Sequence, residues 1–186
     1  MNVKLIASSG DNLLEDIALM ARVSNPANQH NTETSGKLVK YLIKHNHWSP
    51  FEMASITLEI NTTRDIAHQI VRHRSFAFQE FSQRYAEPSE MGYPFELREC
   101  RMQDTTNRQN SIQSTDNIVE ATWILRQKKV IAAAETAYNW AIENGIAKEQ
   151  ARSVLPEGLT KTRLYMSGTV RSWIHYVDMK LIASFL

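Results

Sequence analysis

The sequence predicts an α+β fold, because strand-like and helix-like patterns follow one another irregularly along the 186 residues. Apolar and polar residues alternate over Ala54–Ile60, which is typical of a half-buried strand. A long amphipathic pattern runs from Asn117 to Asn144 and stops at Gly145, which favours a helix. There are no repeats and no linker composition, so residues 1–186 are predicted to form one domain.

The N-terminal third is predicted to hold a short strand and two helices. Val3 to Ser8 is apolar enough for a strand that ends in a turn at Gly10. Helical spacing begins at Leu13 and ends near Pro26, and Thr34 is a candidate cap for the second helix. The stretch His45 to Pro50 is predicted as a loop, because proline cannot continue a helix. The expected buried positions on the second helix are Leu38, Leu42 and Ile43.

A third helix is predicted to run through Arg74, with Thr62 or Thr63 as its cap. Gln69, Arg72 and His73 would share one face of that helix, and His68 would decorate its surface. The residues that follow, through Arg84, are predicted to extend into a loop. The inward positions would be Ile66, Ala67, Ile70 and Val71.

Four further segments complete the predicted order. Gln103 to Asn117 is polar and is predicted to be a mobile loop or a segment ordered by a ligand. Ile146 to Val154 resembles a short helix ahead of Pro156, and Thr162 to Val170 is predicted to be extended. From Arg171 onward, apolar residues recur with the spacing of a last helix. On the long helix, Trp123, Tyr138 and Trp140 are expected in the core or at a subunit interface.

The segment 72–85 contains three arginines and a histidine but only one carboxylate, Glu80. Such a density of positive charge needs anionic partners, and a bound phosphate or pyrophosphate would supply them. A solvated basic helix end is the alternative, because arginines at a helix C-terminus complement the helix dipole. Neighbouring aromatic rings favour a planar ligand that carries phosphate, such as a nucleotide or a flavin. These rings belong to Phe76, Phe78, Phe81 and Tyr85.

Composition excludes several other classes of protein. The formal net charge of +1 does not indicate attraction of the whole chain to nucleic acid or to an anionic membrane. Cys100 is the single cysteine, so an intramolecular disulfide and a cysteine-based zinc cluster are impossible. The histidines lack the spacing of a zinc site, and no metal is expected. No segment reads as a signal peptide or a membrane span, so a cytoplasmic location is expected.

The spacing Arg72-His73-Arg74, seven residues, then Ser82 resembles the signature of flavin-dependent thymidylate synthases. Three further segments resemble motifs of the same family, in the family's order. They are His47-Trp48-Ser49-Pro50-Phe51-Glu52, Ala151-Arg152-Ser153-Val154-Leu155-Pro156, and Thr169-Val170-Arg171-Ser172-Trp173-Ile174-His175-Tyr176. The resemblance implies that family's fold, a mixed sheet with flanking long helices.

The resemblance also implies a reaction and a set of ligands. In this family, reduced FAD mediates transfer of a methylene carbon from methylenetetrahydrofolate to dUMP and supplies the hydride, and NADPH reduces the flavin. The enzymes are homotetramers whose sites collect residues from several subunits. Residues implied to be catalytic are Arg72, Glu80, Ser82 and Lys180. Residues implied to bind FAD are His47, Ser49, Arg72, His73, Arg74, Glu80, Thr169, Val170, Arg171 and His175. Residues implied to bind dUMP are Gln69, Ile70, Val71, Arg72, Glu80, Phe81, Ser82, Gln83, Arg84 and Arg152.

Two departures from the family pattern concern the C-terminus. Lys180 stands where the family usually has an arginine that contacts the uracil ring, and the chain ends six residues later, which suggests a truncated or minimal version. A flavin- or nucleotide-binding relative with weak or lost turnover is therefore the first alternative. An RNA-binding module that uses the basic, aromatic segment is the second. Cys100 is expected to be a loop residue without a role, and the alternative is a nucleophile activated by nearby arginines.

Overall fold

The computed structural model describes the backbone of residues 1–185 and the side chains of residues 1–179, and it confirms the α+β class. Four strands form one sheet in the order β1-β2-β6-β3, and two short strands, β4 and β5, form an antiparallel pair. Their bounds are β1 Asn2–Ser8, β2 Ser55–Thr63, β3 Ala77–Glu80, β4 Arg101–Gln103, β5 Ser111–Gln113 and β6 Lys161–Thr169.

Seven α-helices accompany these strands in the described part of the chain. They are α1 Leu13–Ala21, α2 Ser35–Lys44, α3 Ser49–Glu52, α4 Arg64–Ile70, α5 Asn117–Glu143, α6 Lys148–Ala151 and α7 Val170–Phe185. Short 3₁₀ turns lie at Pro26–Asn28, Pro88–Met91 and Arg152–Val154.

The chain divides into two compact units. The first unit comprises Met1–Ile60, Ile70–Gln79 and the chain from Leu164 onward. The second unit comprises Asn61–Gln69 and Glu80–Arg163. Each unit is therefore built from segments that are distant in the sequence.

The core of the first unit lies among α1, α2 and α3. Ile17, Leu42, Phe51 and Ala54 are its buried members. The first helix begins where the Asn12 side chain accepts a hydrogen bond from the backbone N–H of Glu15, as expected for an asparagine cap. By contrast, β1 has no buried residue along its whole length, and its exposed apolar side chains include Val3, Leu5 and Ile6.

The core of the second unit is built around α5. Its buried members are Phe95, Ile131, Tyr138, Ala141, Ala151 and Leu155. The Asp116 carboxylate accepts hydrogen bonds from the N–H groups of Ile118 and Val119 and so caps α5. Tyr138 is in the core, as predicted, whereas Trp123 and Trp140 are 42% and 58% exposed.

Arg98 links the segment before β4 to other parts of the second unit by hydrogen bonds. Its guanidinium donates hydrogen bonds to Asp65, to the Thr63 hydroxyl and to the carbonyl oxygen of Gly158. Burial raises the pKa of the Asp65 carboxyl, but the hydrogen bond from Thr63 and the charge of Arg98 outweigh it, so the pKa lies below its ordinary value. Asp65 is therefore held in its ionised form.

The prediction for the third helix was wrong at both ends. β2 continues through Thr63, because the β-branched pair Thr62-Thr63 suits an extended strand better than a helix cap. The helix α4 ends at Ile70, before the β-branched Val71 and three successive potential cations. As a result, Gln69, Arg72 and His73 do not share a helical face.

Three loop predictions were wrong for part of their length. The segment 75–84 contains strand β3, and the polar stretch 103–117 contains β5 and belongs to a hairpin. That hairpin is closed by Asp104, whose pKa is lowered chiefly by hydrogen bonds from Thr106, first from its backbone N–H. Residues 45–48 form the predicted loop after α2, but Ser49 and Pro50 belong to the first turn of α3, where a proline needs no N–H partner.

Candidate active site

The junction of β6 and α7 forms the first candidate site, in the first unit. The strand ends at Thr169 and the helix begins at Val170 without an intervening loop. The Thr169 hydroxyl accepts a hydrogen bond from the backbone N–H of Ser172 at 3.2 Å, and the N–H of Val170 donates to the Ala54 carbonyl at 2.8 Å. These bonds fix the first turn of α7 and use the N–H groups of Val170 and Ser172, and the helix dipole at this end favours an anion.

Aromatic side chains hold the signature segment against α7. The Phe76 ring lies 4.7 Å from Trp173, and the His73 ring lies 4.7 Å from Tyr176, between ring centroids. Trp173 donates a hydrogen bond from its indole N–H to the Ile56 carbonyl at 3.1 Å. Burial raises the pKa of the Tyr176 hydroxyl, so it stays protonated at neutral pH. Residues 73–76 are therefore ordered by the packing of the His73 and Phe76 rings.

A pocket of about 530 Å³ opens beside this junction. It contains one cation, Arg171, which forms an ion pair with Glu52. The ring of His175, a residue of α7, packs on the Trp48 ring with 4.7 Å between the two centroids. The lining residues are Glu52, Ser75, Thr169, Arg171, Ser172 and His175. A guanidinium, three hydroxyls and a helix start suit the phosphate groups of a cofactor.

Glu80 is the centre of the second candidate site, in the second unit. Its Oε1 atom accepts a hydrogen bond from the Thr162 hydroxyl at 2.8 Å and lies 3.4 Å from the Arg64 guanidinium. Both Arg64 and Glu80 side chains are largely shielded, with 13% and 22% exposure. Because a shielded carboxylate needs such partners, the contacts hold the Glu80 side chain in one orientation.

A polar pocket of about 340 Å³ lies beside Arg64. The Gln83 side chain is 3% exposed, and its Nε2 atom has no hydrogen-bond partner within the described residues. A buried amide nitrogen without a partner costs free energy unless a ligand or water accepts its hydrogen bonds. The pocket is lined by Arg64, Gln83, Glu149, Arg152, Ser153, Leu155 and Glu157. Two guanidinium groups and a free amide donor suit an anion such as a phosphate.

The structure groups some of the expected site residues and separates others by unit. In the first unit Thr169, Arg171 and His175 meet at one pocket. In the second unit Gln83 and Arg152 do so. Arg72 and Arg74 are exposed in the turns after α4, and His47 and Ser49 are exposed around the start of α3.

The other residues expected to bind the substrate do not line either of the two pockets. Gln69 is exposed, Ile70 is 6% exposed in the core, and Val71 is 37% exposed. Ser82 and Arg84 are exposed in a turn. The turn is closed by the Ser82 carbonyl, and the N–H of Phe81 before it donates to the Arg163 carbonyl. The side chain of Lys180 lies outside the described residues.

Sequence reasoning missed Arg64 and Thr162 as partners of Glu80. Arg64 follows the β-branched stretch that ends β2, and Thr162 is an inward position of β6, whose pattern of burial alternates. The alternation at 160–166 signals that Thr162 is buried, and a buried threonine needs a polar partner. That signal alone could not identify Glu80 as the partner.

The described residues hold neither a metal-binding cluster nor a membrane-spanning helix. They contain no group of three or more histidine, cysteine, aspartate or glutamate side chains that could hold a metal ion. None of their helices is both long enough and apolar enough to cross a bilayer.

Both pockets combine arginine side chains with hydroxyl or amide donors, a chemistry that suits anionic, phosphate-bearing ligands. The chain matches the model of the family "Thy1: Thymidylate synthase complementing protein" over residues 4–183, so it belongs to that family. This match confirms the family predicted from the four motifs, and it identifies the chain's function as flavin-dependent thymidylate synthesis, with a flavin cofactor.

Curated relatives and a solved structure agree with this assignment. A protein of Paramecium bursaria Chlorella virus 1, named "Probable flavin-dependent thymidylate synthase", is 49% identical over 97% of this chain and 84% of its own length. A flavin-dependent thymidylate synthase of Synechocystis is 50% identical over 88% of this chain and 73% of its own length. The crystal structure of a UMP/dUMP methylase, PolB from Streptomyces cacaoi, bound with 5-Br dUMP, aligns with a TM-score of 0.76 at 28% identity. That alignment covers 94% of this chain and 75% of PolB.

Proposed function

We propose that this chain transfers a methylene carbon from methylenetetrahydrofolate to dUMP and reduces it, giving dTMP, with FAD as the flavin and NADPH as its reductant. The family match supports the reaction class, and the observation that carries the choice of nucleotide is the Gln83–Arg152 pocket. A structural relative that binds 5-Br dUMP supports the same choice. Bound flavin supplies the hydride chemistry, while the protein binds and orients the reactants.

The second unit is the proposed binding region for dUMP. Arg152 and the unpartnered Gln83 amide would donate hydrogen bonds to the phosphate, and Ser82 and Arg84 would close around it from the adjacent turn. Glu80, held by its two partners, would accept a hydrogen bond from the nucleotide. Gln69 and Phe81 complete the set proposed in this unit, and Ile70, Val71 and Arg72, which belong to the first unit, are further proposed contacts.

The first unit is the proposed binding region for FAD. Arg171 and the N–H groups at the start of α7 would bind the cofactor phosphates, and phosphate would compete with Glu52 for the guanidinium. The ring of His175, which already packs on Trp48, suits contact with a planar heterocycle. The other FAD contacts proposed in this unit are His47, Ser49, Arg72, His73, Arg74, Thr169 and Val170, and Glu80 of the second unit is a further one.

A homotetramer with shared sites is part of the proposal. The long helix α5 leaves Ile118 79%, Trp123 42% and Trp140 58% exposed, and surfaces of this kind are commonly covered in assemblies. A groove of about 890 Å³ runs beside Trp140 and is lined mainly by small and apolar side chains. Light scattering should give four subunits, and a stable monomer that binds flavin at full stoichiometry would contradict this. One domain over residues 1–186 and a cytoplasmic location belong to the same proposal.

The function is tested with the purified full chain. Flavin absorbance should accompany the protein, and dTMP should form when dUMP, methylenetetrahydrofolate and NADPH are supplied. The variant Arg152→Ala should weaken dUMP binding by about 1.5–3 kcal/mol, the range for a lost hydrogen bond to a charged group. Arg126→Ala, an exposed arginine on α5, is the matched control and should bind dUMP normally.

Each contrary outcome identifies a different error. Flavin absorbance without any dTMP would identify a binding relative that has lost turnover. Absence of flavin together with RNA binding would favour the nucleic-acid alternative. Equal dUMP affinity in the Arg152 and Arg126 variants would remove Arg152 from the proposed nucleotide site.

A further inference from the structure

A line of four polar side chains leads from the surface of the second unit to Glu80. The Glu157 Oε2 atom lies 3.3 Å from Nδ1 of His68. The other ring nitrogen of His68, Nε2, lies 3.5 Å from one terminal nitrogen of Arg64. The second terminal nitrogen of Arg64 lies 3.4 Å from Glu80. Both Arg64 and Glu157 also line the pocket that contains Gln83.

The chemistry of these groups determines what each can do. A guanidinium only donates hydrogen bonds and a carboxylate only accepts them. Between Arg64 and Glu157, the His68 ring therefore fits best as a neutral imidazole whose Nδ1 carries the proton and whose Nε2 accepts from Arg64. The planar fork of Arg64 is what reaches His68 and Glu80 at once, which a single ammonium group could not do.

Arg64 is the member of this line whose orientation matters most. Its side chain is 13% exposed, faces the Glu80 carboxylate, and lines the pocket together with the guanidinium of Arg152. A rotation of the guanidinium away from Glu80 would leave that carboxylate with one partner, Thr162, and would change the charge presented to a ligand. Something must therefore fix the terminal nitrogen that does not face Glu80, and His68 is the group in contact with it.

We propose that His68 and Glu157 are positioning residues, which hold the Arg64 guanidinium between Glu80 and the Gln83 pocket and thereby set the affinity for the nucleotide. The proposal rests on the assignment of this pocket to dUMP. Neither residue belongs to the motifs that identified the family, and His68 was expected only to decorate the helix surface. His68 acts through Arg64, and Glu157, although it also lines the pocket, is proposed to act through its contact with His68.

Two substitutions at His68 separate positioning from general structure. His68→Gln keeps an oxygen that can accept from Arg64, whereas His68→Leu has similar bulk and offers no acceptor. His68→Leu should weaken dUMP binding about fivefold, as expected for one modest hydrogen bond, and His68→Gln should stay within about twofold of the wild type. His30→Leu, at an exposed histidine of the first unit, is the matched control and should have no effect.

The measurements are dUMP titration by calorimetry and steady-state kinetics on the full chain. In His68→Leu the KM for dUMP should rise while kcat at saturating dUMP stays close to that of the wild type, a split that general destabilisation would not produce. Thermal unfolding should be alike for the Leu and Gln variants. Wild-type dUMP affinity in His68→Leu, or equal weakening in the Leu and Gln variants, would overturn the proposal.

The ring tautomer provides a readout that does not depend on dUMP. Long-range ¹⁵N–¹H spectra of the wild-type protein should show His68 with its proton on Nδ1, and Glu157→Gln should increase the other tautomer. A proton on Nε2 of the neutral ring would overturn the proposal whatever the binding data show. If the wild type binds no dUMP, the proposed function fails, and so does the part of this inference that concerns the nucleotide. The His68 tautomer then tests only whether Glu157, His68 and Arg64 contact one another as described.

Discussion

Replacement of Gly168 by alanine tests the packing that places the first candidate site. A Cβ atom at Gly168 would lie 2.4 Å from Cδ1 and 2.7 Å from Cε1 of the Phe76 ring. Ordinary carbon contacts are about 3.5–4.0 Å, so the ring would have to move by roughly 1 Å. Trp173 and Tyr176 stand against that ring at 4.7 and 5.8 Å between centroids and limit its movement.

The magnitude follows from the cost of overpacking a well-filled site. Forcing an extra methyl group into such a site costs about 1–3 kcal/mol. For a chain of this size, a loss of about 2 kcal/mol lowers Tm by roughly 4–8 °C. Flavin affinity should fall as well, because Thr169 directly follows Gly168 and Arg171 lies three residues after it.

The assay is thermal unfolding followed by circular dichroism, with a matched glycine as control. Gly36→Ala places a methyl group on α2 where no atom lies within 4 Å, and it should leave Tm unchanged or raise it. Phe76→Leu combined with Gly168→Ala should recover part of the lost stability. An unchanged Tm in Gly168→Ala alone would refute the reasoning, since it would mean that the Phe76 ring is free to move aside.

The other predictions concern charge and chemistry. Arg72→Ala and Arg74→Ala should each weaken FAD binding by about 1.5–3 kcal/mol, measured by flavin titration, and unchanged affinity in both would remove them from the cofactor site. Cys100→Ala should form dTMP at the wild-type rate, because the flavin route needs no protein thiolate; a loss of several orders of magnitude with folding intact would indicate a nucleophile. Lys180→Arg should raise the rate of dTMP formation roughly ten- to a hundredfold, since a guanidinium can make two parallel hydrogen bonds to the uracil ring, and an equal or lower rate would contradict that role. Asp65→Asn should lower stability at neutral pH. The folded-state pKa of Asp65 lies below its ordinary value of 3.8. In urea denaturation, the stability difference between wild type and Asp65→Asn should therefore be full above pH 3.8 and disappear as pH falls through the folded-state pKa. A stability difference that does not depend on pH would contradict this role of Asp65.

Several elements could be predicted from local sequence because a single physical rule determines them. The alternation before Ile60 gives a strand, and the cap at Asp116 with a left-handed Gly145 after the last turn bounds α5 at both ends. The four motifs identified the family because their order and spacing are highly specific. Those signals are contained within each segment and need no knowledge of distant residues.

The predictions that were wrong depended on partners distant in the sequence. β3 is a strand because it pairs with β6, which lies more than eighty residues further along the chain. The sequence of Ala77–Glu80 gives no sign of that partner. The end of α4 is decided by a competition between helical propensity and crowding of charge, which the pattern of apolar residues does not record. Arg64 was overlooked for the same reason, because its role depends on contacts with Glu80 and His68 that only the fold creates.

The exposed apolar residues of β1 have a consequence for how much active protein a cell obtains from a given amount of synthesis. Val3, Leu5 and Ile6 lie on a strand with no covering element in the described subunit, and such strands invite pairing with other chains. If subunits associate through surfaces of this kind, the assembled fraction rises steeply with subunit concentration, and association adds to stability by mass action. Lower expression would then reduce activity more than in proportion, because unassembled chains would be lost to aggregation and proteolysis.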